Sequence, residues 1–383
     1  MFELTEEQQM LRDAVRKMAE EKIAPRVAEI DETMEFPWDI KEAIQEMGLF
    51  SIVFPKEYGG TGPDQISLCL AMEEIARVCV SSSLILQVQA LGATPILIAG
   101  SDEQKAKYCP PLASGKKLCA FGFTEPGAGS DLAVITTRAV LHGDTYIING
   151  RKCFISNGSV ADTLVIFAST DPEARHRGIS AFIVEKAFPG FSIGKIENKM
   201  GIRASPAVEL LFDDCEVPRE NLLGAEGEGF RMGMQTFDES RTVIGAQAVG
   251  LAQGALDFAI DYAKERIQFG APIAKLEGIE FLLAEMAAEV EAARYLTYKA
   301  ASLVGKGGRE LSYLAAAAKL VASDAAMRVT TDAVQVAGGY GYMKDFPLER
   351  MMRDAKITQI YEGTNQIMKL VMARRYLLSD KRK

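Results

Sequence analysis

Along the first third of the chain, apolar residues recur every three or four positions, the spacing of amphipathic helices. Leu11, Val15 and Met18 share one helical face behind a capping box running from Thr5 to Gln8. Pro25 predicts an end to helical structure at that point. Further helices are expected from Pro37 to Met47, Ile66 to Val80, Ser83 to Ile98 and Asp102 to Leu112, with Tyr58 to Pro63 as a loop. After Gly115 the texture changes. Leu118 to Phe123, Thr145 to Ile148, Leu164 to Ser169, Ile179 to Val184 and Val208 to Phe212 are short apolar runs punctuated by Gly, Asp, Asn and Pro. They predict a small β barrel or sandwich, with Gly143-Asp144 as a hairpin turn. From Gly229 the helical period returns. Met232 to Gln268, Leu276 to Gly305 and Leu311 to Gly338 carry Ala-rich faces suited to close helix packing, and Asn365 to Leu378 reads as a last helix. The expected organisation is helical over 1–117, β over 118–228 and helical again over 229–383. The lack of β-α-β alternation argues against a parallel dinucleotide-binding sheet.

A chain of 383 residues is long enough for two or three domains. Its net charge of −9 argues against nucleic acid or an anionic membrane as partner, though not against a small anion held by a few Arg residues. The six cysteines (Cys69, Cys79, Cys109, Cys119, Cys153 and Cys215) form no Cys-x-x-Cys pair and several sit in apolar runs. They read as reduced, buried thiols, which points to a reducing compartment, the cytoplasm. His142 and His176 are the only histidines, and both fall in polar segments that read as exposed loops. No His-based metal site or Ser-His-Asp triad is expected. Met1 to Pro25 reads as a charged amphipathic helix rather than a leader, and the expectation is that no uncharged run is long enough to span a membrane.

The candidate chemistry centres on Tyr361-Glu362-Gly363-Thr364, which places one carboxylate in a Gly-containing turn beside Ile360 and Tyr361. Most such acids are solvated surface charges. One held among apolar neighbours has a raised pKa and suits proton abstraction. Phe121 to Asp131 ends a strand in a Gly-rich, hydroxyl-bearing loop. There Gly127 and Gly129 let backbone approach a flat or anionic ligand, or simply make a turn. Lys152 to Gly158 is a second strand-to-turn segment, where Phe154 is either a stacking surface or core and Ser156 a donor. Asp238 and Arg241 share a face of the long helix, as a surface ion pair or as ligand contacts. Arg266 to Ile273 offers a cation, an aromatic and a Gly-Pro turn, and Gln335 to Gly341 a Gly-rich helix end.

Taken together and in this order, the segments resemble the acyl-CoA dehydrogenase family over essentially the whole chain. The most specific matches are Thr124 to Asp131, Arg266 with Phe269-Gly270, Gln335 with Gly338-Gly339, and Arg353 to Ile357 leading into Tyr361 to Thr364. The resemblance implies an N-terminal helical domain, a middle β barrel and a C-terminal four-helix bundle, assembled as a homotetramer with FAD between barrel and bundle. It implies removal of an acyl-CoA α-proton by Glu362, hydride transfer to flavin, a trans-2-enoyl-CoA product, and reoxidation by electron-transfer flavoprotein. An enolate forming beside a thioester needs hydrogen-bond donors at its oxygen, and flavin supplies the hydride acceptor that no side chain can.

By the same resemblance Phe123, Thr124, Ser130, Phe154, Ser156, Thr364 and Gln366 match FAD contacts. Arg266, Phe269, Gln335 and Gly339 match contacts to the FAD of a neighbouring subunit. Ser130, Phe237, Asp238, Arg241, Tyr361 and Gly363 match the acyl-CoA side. Branched- and long-chain members carry their base at the position of Ser240, where this chain has no acid. Leu276-Glu277 departs from the aromatic-Gln usual in the family. The helix Ser83 to Ile96 matches the one closing the acyl pocket, and there Gln87 and Gln89 interrupt an apolar run, either at the pocket floor or facing solvent. Ser81-Ser82-Ser83 lacks the Arg of glutaryl-CoA members. Short-to-medium straight acyl chains are expected first, then cyclic or aryl acyl groups. A decarboxylating or oxygen-using homologue and a non-catalytic binder are the remaining readings.

Overall fold

A computed structural model describes residues 4–377. The N-terminal helices are α1 (Glu6–Met18), α2 (Val27–Thr33), α3 (Trp38–Glu46), α4 (Gln65–Val78), α5 (Val80–Ala99) and α6 (Asp102–Ala113). Thr5 caps α1 in the expected reciprocal box with Gln8, an arrangement worth about 1 kcal/mol. Pro25 does not stop the helix. A π turn over Ala19–Ile23 passes into a 3-10 turn, Ala24–Arg26, whose first positions need no N–H from proline, and α2 follows directly. The helix α5 also departs from expectation. It is uncharged over its 20 residues and apolar enough to cross a membrane, but it is largely buried inside the protein. It lies against the β region so closely that a Cβ on Gly92 would come within 2.5 Å of Cys119 Sγ.

The central region forms one eight-stranded sheet from β1 (Cys119–Gly122), β2 (Arg138–His142), β3 (Thr145–Ser156), β4 (Thr163–Ser169), β5 (Ile179–Glu185), β6 (Phe191–Ile196), β7 (Ala207–Pro218) and β8 (Leu222–Leu223). The strand order is β6-β7-β3-β2-β4-β5-β8, with β1 added in parallel on β4. β2 and β3 form the hairpin expected at Gly143-Asp144. A single pair, Arg138 with Ser169, joins β2 to β4, so the sheet folds over at that point. Ile148, Ile155, Val208 and Phe212 from one half then share a core with Leu164, Ile166, Phe182 and Val184 from the other. β3 and β7 run well past the short apolar runs that announced them, through two register shifts.

The C-terminal helices are α7 (Gly229–Glu265), α8 (Glu277–Ala301), α9 (Gly308–Ala337), α10 (Leu348–Thr358) and α11 (Asn365–Leu377). Between α7 and α8 lies a short pair of strands, β9 (Ile267–Gln268) and β10 (Ala271–Pro272). α7 is the spine of the molecule. It touches α4 and α5 on one side and α8 and α9 on the other. Ala248, Ala252, Ala255 and Ala259 of α7 meet Ala322, Ala325, Ala326 and Ala333 of α9, and the small side chains let the helix axes approach. Residue 378, the expected end of the last helix, lies outside the described residues.

Candidate active site

The turn after α10 carries the candidate base. Glu362 has φ 51° and Gly363 φ 100°, two consecutive left-handed residues. Glycine adopts this freely, whereas a glutamate there costs about 1–3 kcal/mol, a strain that marks functional sites. Gly363 also has no room for a side chain, since a Cβ would stand 2.6 Å from the Met368 methyl. Arg241 Nε reaches the Glu362 carbonyl at 3.5 Å, and Lys319 Nζ of α9 donates to the Gly363 carbonyl at 2.8 Å and to Asn365 Oδ1 at 2.9 Å. Asn365 in turn accepts from Ser323 Oγ at 3.2 Å and donates to Asp324 at 2.8 Å. The turn is therefore held by its carbonyls, and the carboxylate is left to other partners.

Those partners are neutral. Gln87 Nε2 of α5 donates to one carboxylate oxygen and Ser240 Oγ of α7 to the other. Burial raises the Glu362 pKa above its ordinary range, against the Ser240 hydroxyl, the charges of Arg241 and Lys319, and the Gln87 amide. Of the two apolar neighbours in sequence, Ile360 is 47% exposed while Tyr361 packs against the core, and the groups that meet the carboxylate come from α5 and α7. Burial also pulls Lys319 down to about 7.

Asp238 and Arg241 pair at 2.8 Å, with Arg241 buried and Asp238 mostly so. This is not a solvated surface pair. Ser312 Oγ holds the second Asp238 oxygen. Gln87 and Gln89 are both buried, so neither faces solvent. They differ in purpose: Gln89 donates to the Leu112 and Lys117 carbonyls and accepts from Cys119 N–H at 2.8 Å, stitching α5 to α6 and β1. A cleft of about 250 Å³ runs along α5 and α7 to Gln87 and Ser240, lined on the way by Ile98, Thr94, Leu91 and Val243.

The Gly-rich loop of residues 124–131 is fixed from beneath. Glu125 is buried and accepts from Thr136 N–H, Thr136 Oγ1, Thr137 N–H and Lys152 Nζ, the last at 2.7 Å. Burial pushes its carboxyl up, but the Lys152 charge and these donors outweigh it and hold the pKa down at about 2. Thr124 accepts from Cys153 N–H, so loop and β3 move as one. Next to that bond β3 bulges, Phe154 takes φ 58°, and its ring stands 65% exposed. Ser156 is half-buried and Ser130 exposed. Phe123 is core instead: its ring stacks on Phe167 at 4.2 Å, leaving only its backbone for a ligand. Phe237 packs edge-on against Phe121 beside it. Thr364 Oγ1 caps α11 through Ile367 N–H, and Gln366 is exposed on the first turn of α11.

Arg266, Phe269, Gln335 and Gly339 do not join this site within one chain. Arg266 follows Arg241 by 25 positions along α7, roughly 37 Å at the helical rise. There Arg266 lies over the Tyr340 ring at 5.3 Å, Phe269 is 94% exposed with φ 51°, and Gln335 and Gly339 are exposed nearby. Glu277 is exposed in the first turn of α8.

Two residues escaped the sequence reading. Lys319 stands alone in an otherwise apolar stretch, Ala315 to Ala318 and Leu320 to Ala322, and a lone charge inside an Ala-rich face was the available signal. Gln247 in α7 accepts from the Tyr361 hydroxyl and had the same kind of signal, a polar residue inside Val243 to Val249.

A strained, desolvated carboxylate, held by Gln87 and Ser240 at the edge of a largely apolar cleft, is chemically suited to accept a proton. Comparison with known proteins gives the family. Residues 5–116, 120–215 and 227–377 match the N-terminal, middle and C-terminal domains of acyl-CoA dehydrogenase, and the chain belongs to that family. It is 52% identical over 373 residues to a short-chain specific acyl-CoA dehydrogenase of Clostridium acetobutylicum, covering 97% of this chain and 98% of that protein. It is 51% identical over 378 residues to the cyclohex-1-ene-1-carbonyl-CoA dehydrogenase of Geobacter metallireducens, covering 98% and 100%. The solved butyryl-CoA dehydrogenase from Megasphaera elsdenii superposes with a TM-score of 0.96 at 45% identity, covering 98% of this chain and 100% of that one.

The protein is an FAD-dependent acyl-CoA dehydrogenase. The residues present fit FAD: the Phe154 ring is displayed on a bulge, and the backbone at Gly127 and Gly129 is open, with nothing within 4 Å of an added Cβ.

Proposed function

We propose that the protein removes the α-proton of a short-chain acyl-CoA with Glu362 and forms the trans-2-enoyl-CoA, electrons leaving to an electron-transfer flavoprotein. The observation that carries this reading is the Glu362 carboxylate, half-buried, raised in pKa by desolvation and hydrogen-bonded by neutral groups beside the cleft. A base so placed is poised to accept a proton, where a solvated glutamate is too weak. Gln87 and Ser240 orient its two oxygens before substrate arrives. The thioester then lies with its α-carbon at Glu362 and its carbonyl toward the backbone N–H of Glu362, a donor fixed by the braced turn. Phe237, Asp238 and Arg241 lie along the pantetheine path. Thr124, Ser130, Phe154, Ser156, Thr364 and Gln366 would hold FAD, which supplies the hydride acceptor when bound. Arg266, Phe269, Gln335 and Gly339, remote from Glu362 and exposed, would reach the FAD of a second subunit in a homotetramer. The six buried thiols suit a reducing compartment such as the cytoplasm.

A cyclic acyl group is the second reading, favoured by the relative that acts on cyclohex-1-ene-1-carbonyl-CoA. Anaerobic titration of the holoenzyme with butyryl-, octanoyl-, glutaryl- and cyclohexanecarbonyl-CoA separates the two by which thioester bleaches the oxidised-flavin band. Glu362→Gln should keep FAD and bind acyl-CoA, yet bleach about a hundredfold to ten-thousandfold more slowly. Wild-type bleaching in that variant would remove Glu362 from the base role.

A further inference from the structure

The helix that leads to Glu362 is tied to the β region at one strained point. Ile202, in the loop of residues 197–206 between β6 and β7, has φ 47°. A β-branched residue adopts that left-handed conformation only where its surroundings force it. Ile202 is buried, and α10 holds it: the Ile202 N–H donates to Asp354 Oδ1 at 2.5 Å. Gly201 beside it lies directly on α10, since an added Cβ would stand 2.6 Å from the Arg353 carbonyl carbon and 2.8 Å from Asp354 N. Arg353 adds a bond to the Met200 carbonyl at 3.0 Å.

Asp354 is fully buried, and that N–H is its firm partner. Arg350 Nη1 stands 3.5 Å from Asp354 Oδ2, and among the described residues neither atom has a hydrogen bond; Arg350 Nη2 reaches the Val78 carbonyl instead. Burial raises the Asp354 carboxyl to about 6, against the Arg350 charge and the Ile202 N–H, so it is ionised at neutral pH. A charged acceptor makes the stronger bond to an amide.

Both ends of this tie lead to the site. On one side α10 runs on to Thr358, and the Ile360 and Tyr361 N–H groups close on the Ile357 carbonyl at 2.8 and 3.0 Å, just before Glu362. On the other side the Ser205 N–H donates to the Ile202 carbonyl at 3.1 Å, and the Asn157 N–H to the Pro206 carbonyl at 2.9 Å. The next residue, Ala207, pairs with Ser156 at the end of β3. A short run of bonds thus joins the helix of the base to the bulged strand that displays Phe154.

We propose that Asp354 is a positioning residue, which by holding the Ile202 N–H sets the spacing between the Glu362 carboxylate and the strand end of Phe154 and Ser156. The proposal rests on the reading of Glu362 as the base and of Phe154 and Ser156 as flavin-lining residues. Loss of a proton to one group and of a hydride to another needs both acceptors in place together, and a misplacement of 1 Å costs about a hundredfold in rate.

The test compares wild type with Asp354→Asn, which removes the charge from the acceptor, and with Gly201→Ala, which lifts the loop from α10 and leaves the carboxylate intact. The first readout is the limiting rate of anaerobic flavin reduction at saturating butyryl-CoA, per bound flavin, so that an unfolded fraction does not enter it. The second is backbone hydrogen exchange of the holoenzyme without substrate. Each variant should reduce its flavin about tenfold to a hundredfold more slowly, at a nearly unchanged half-saturating concentration of butyryl-CoA. Exchange should quicken at least about tenfold over 199–206, and also over 154–158 and 359–364, which the tie joins. Wild-type limiting rates in a variant that holds FAD, or quickened exchange confined to 199–206, overturn the proposal and make Asp354 a local brace. Should Asp354→Asn fail to fold, Gly201→Ala decides by the same two readouts. Wild-type bleaching in Glu362→Gln would instead overturn the base reading, and this proposal with it.

Discussion

Two glutamates, one buried and one half-buried, each with a buried lysine nearby, have opposite fates in this molecule. Glu125, under the Gly-rich loop, receives Lys152 directly at 2.7 Å and three further donors, and it stays ionised down to about pH 2. Glu362 has Lys319 close by, but that ammonium is turned to the Gly363 carbonyl and Asn365, and among the described residues the carboxylate is hydrogen-bonded by Gln87 and Ser240. Burial opposes the charge of both acids. At Glu125 the ion pair wins, and at Glu362 burial wins. The difference lies in where the lysine points. A direct pair makes a staple that holds a loop; a lysine spent on the backbone holds the turn and leaves the acid basic.

Breaking the staple should give the larger loss of stability. Lys152→Met leaves Glu125 buried without its counter-charge and should cost about 3–5 kcal/mol in urea unfolding of the holoenzyme. A cost below about 1 kcal/mol would mean that Glu125 is held by its hydroxyl and amide donors alone. Ser240→Ala should leave stability nearly unchanged but slow anaerobic flavin bleaching about tenfold, as one donor to the carboxylate is lost. Unchanged bleaching would mean that Ser240 does not orient the base.

Lys319→Met sharpens the contrast most finely. Lys319 titrates near 7, so it is charged below that pH and favours the ionised form of Glu362 there. Without that charge the Glu362 pKa should rise further. Bleaching by butyryl-CoA should then lose its acid side about one pH unit higher than in wild type, with little change at alkaline pH. An acid side that stays in place would mean that Lys319 acts on the turn's geometry only. Arg241, whose charge also favours the ionised form of Glu362 and which pairs with Asp238, is unchanged in the variant.

The helices, the β region and the hairpin were readable from period and turn residues because each is a local pattern. The failures were places where tertiary structure overrides a local rule. Pro25 sits where a helix restarts and its missing N–H costs nothing. The uncharged α5 reads equally as a core helix or a membrane span, and only its surroundings decide. At the site, the Gly-containing turn that carries Glu362 was legible from its motif, but the groups that raise its pKa were not. Ser240, Gln247 and Lys319 come from helices far away in sequence, and Ile360, its neighbour, is half exposed. Phe123 and Phe154 look alike as strand aromatics. A bulge and a positive φ separate the buried ring from the displayed one.

The most direct measurement is the pH dependence of anaerobic flavin bleaching by butyryl-CoA, in stopped flow, for wild type and Glu362→Gln. A base must be ionised to act, so the rate falls as pH drops through its pKa. With Glu362 raised by burial, the wild-type acid limb should lie above the ordinary value of 4.5, and the slow residual rate of Glu362→Gln should show no such limb. A wild-type limb at or below 4.5, or the same limb surviving in Glu362→Gln, would contradict the assignment of Glu362 as the desolvated base.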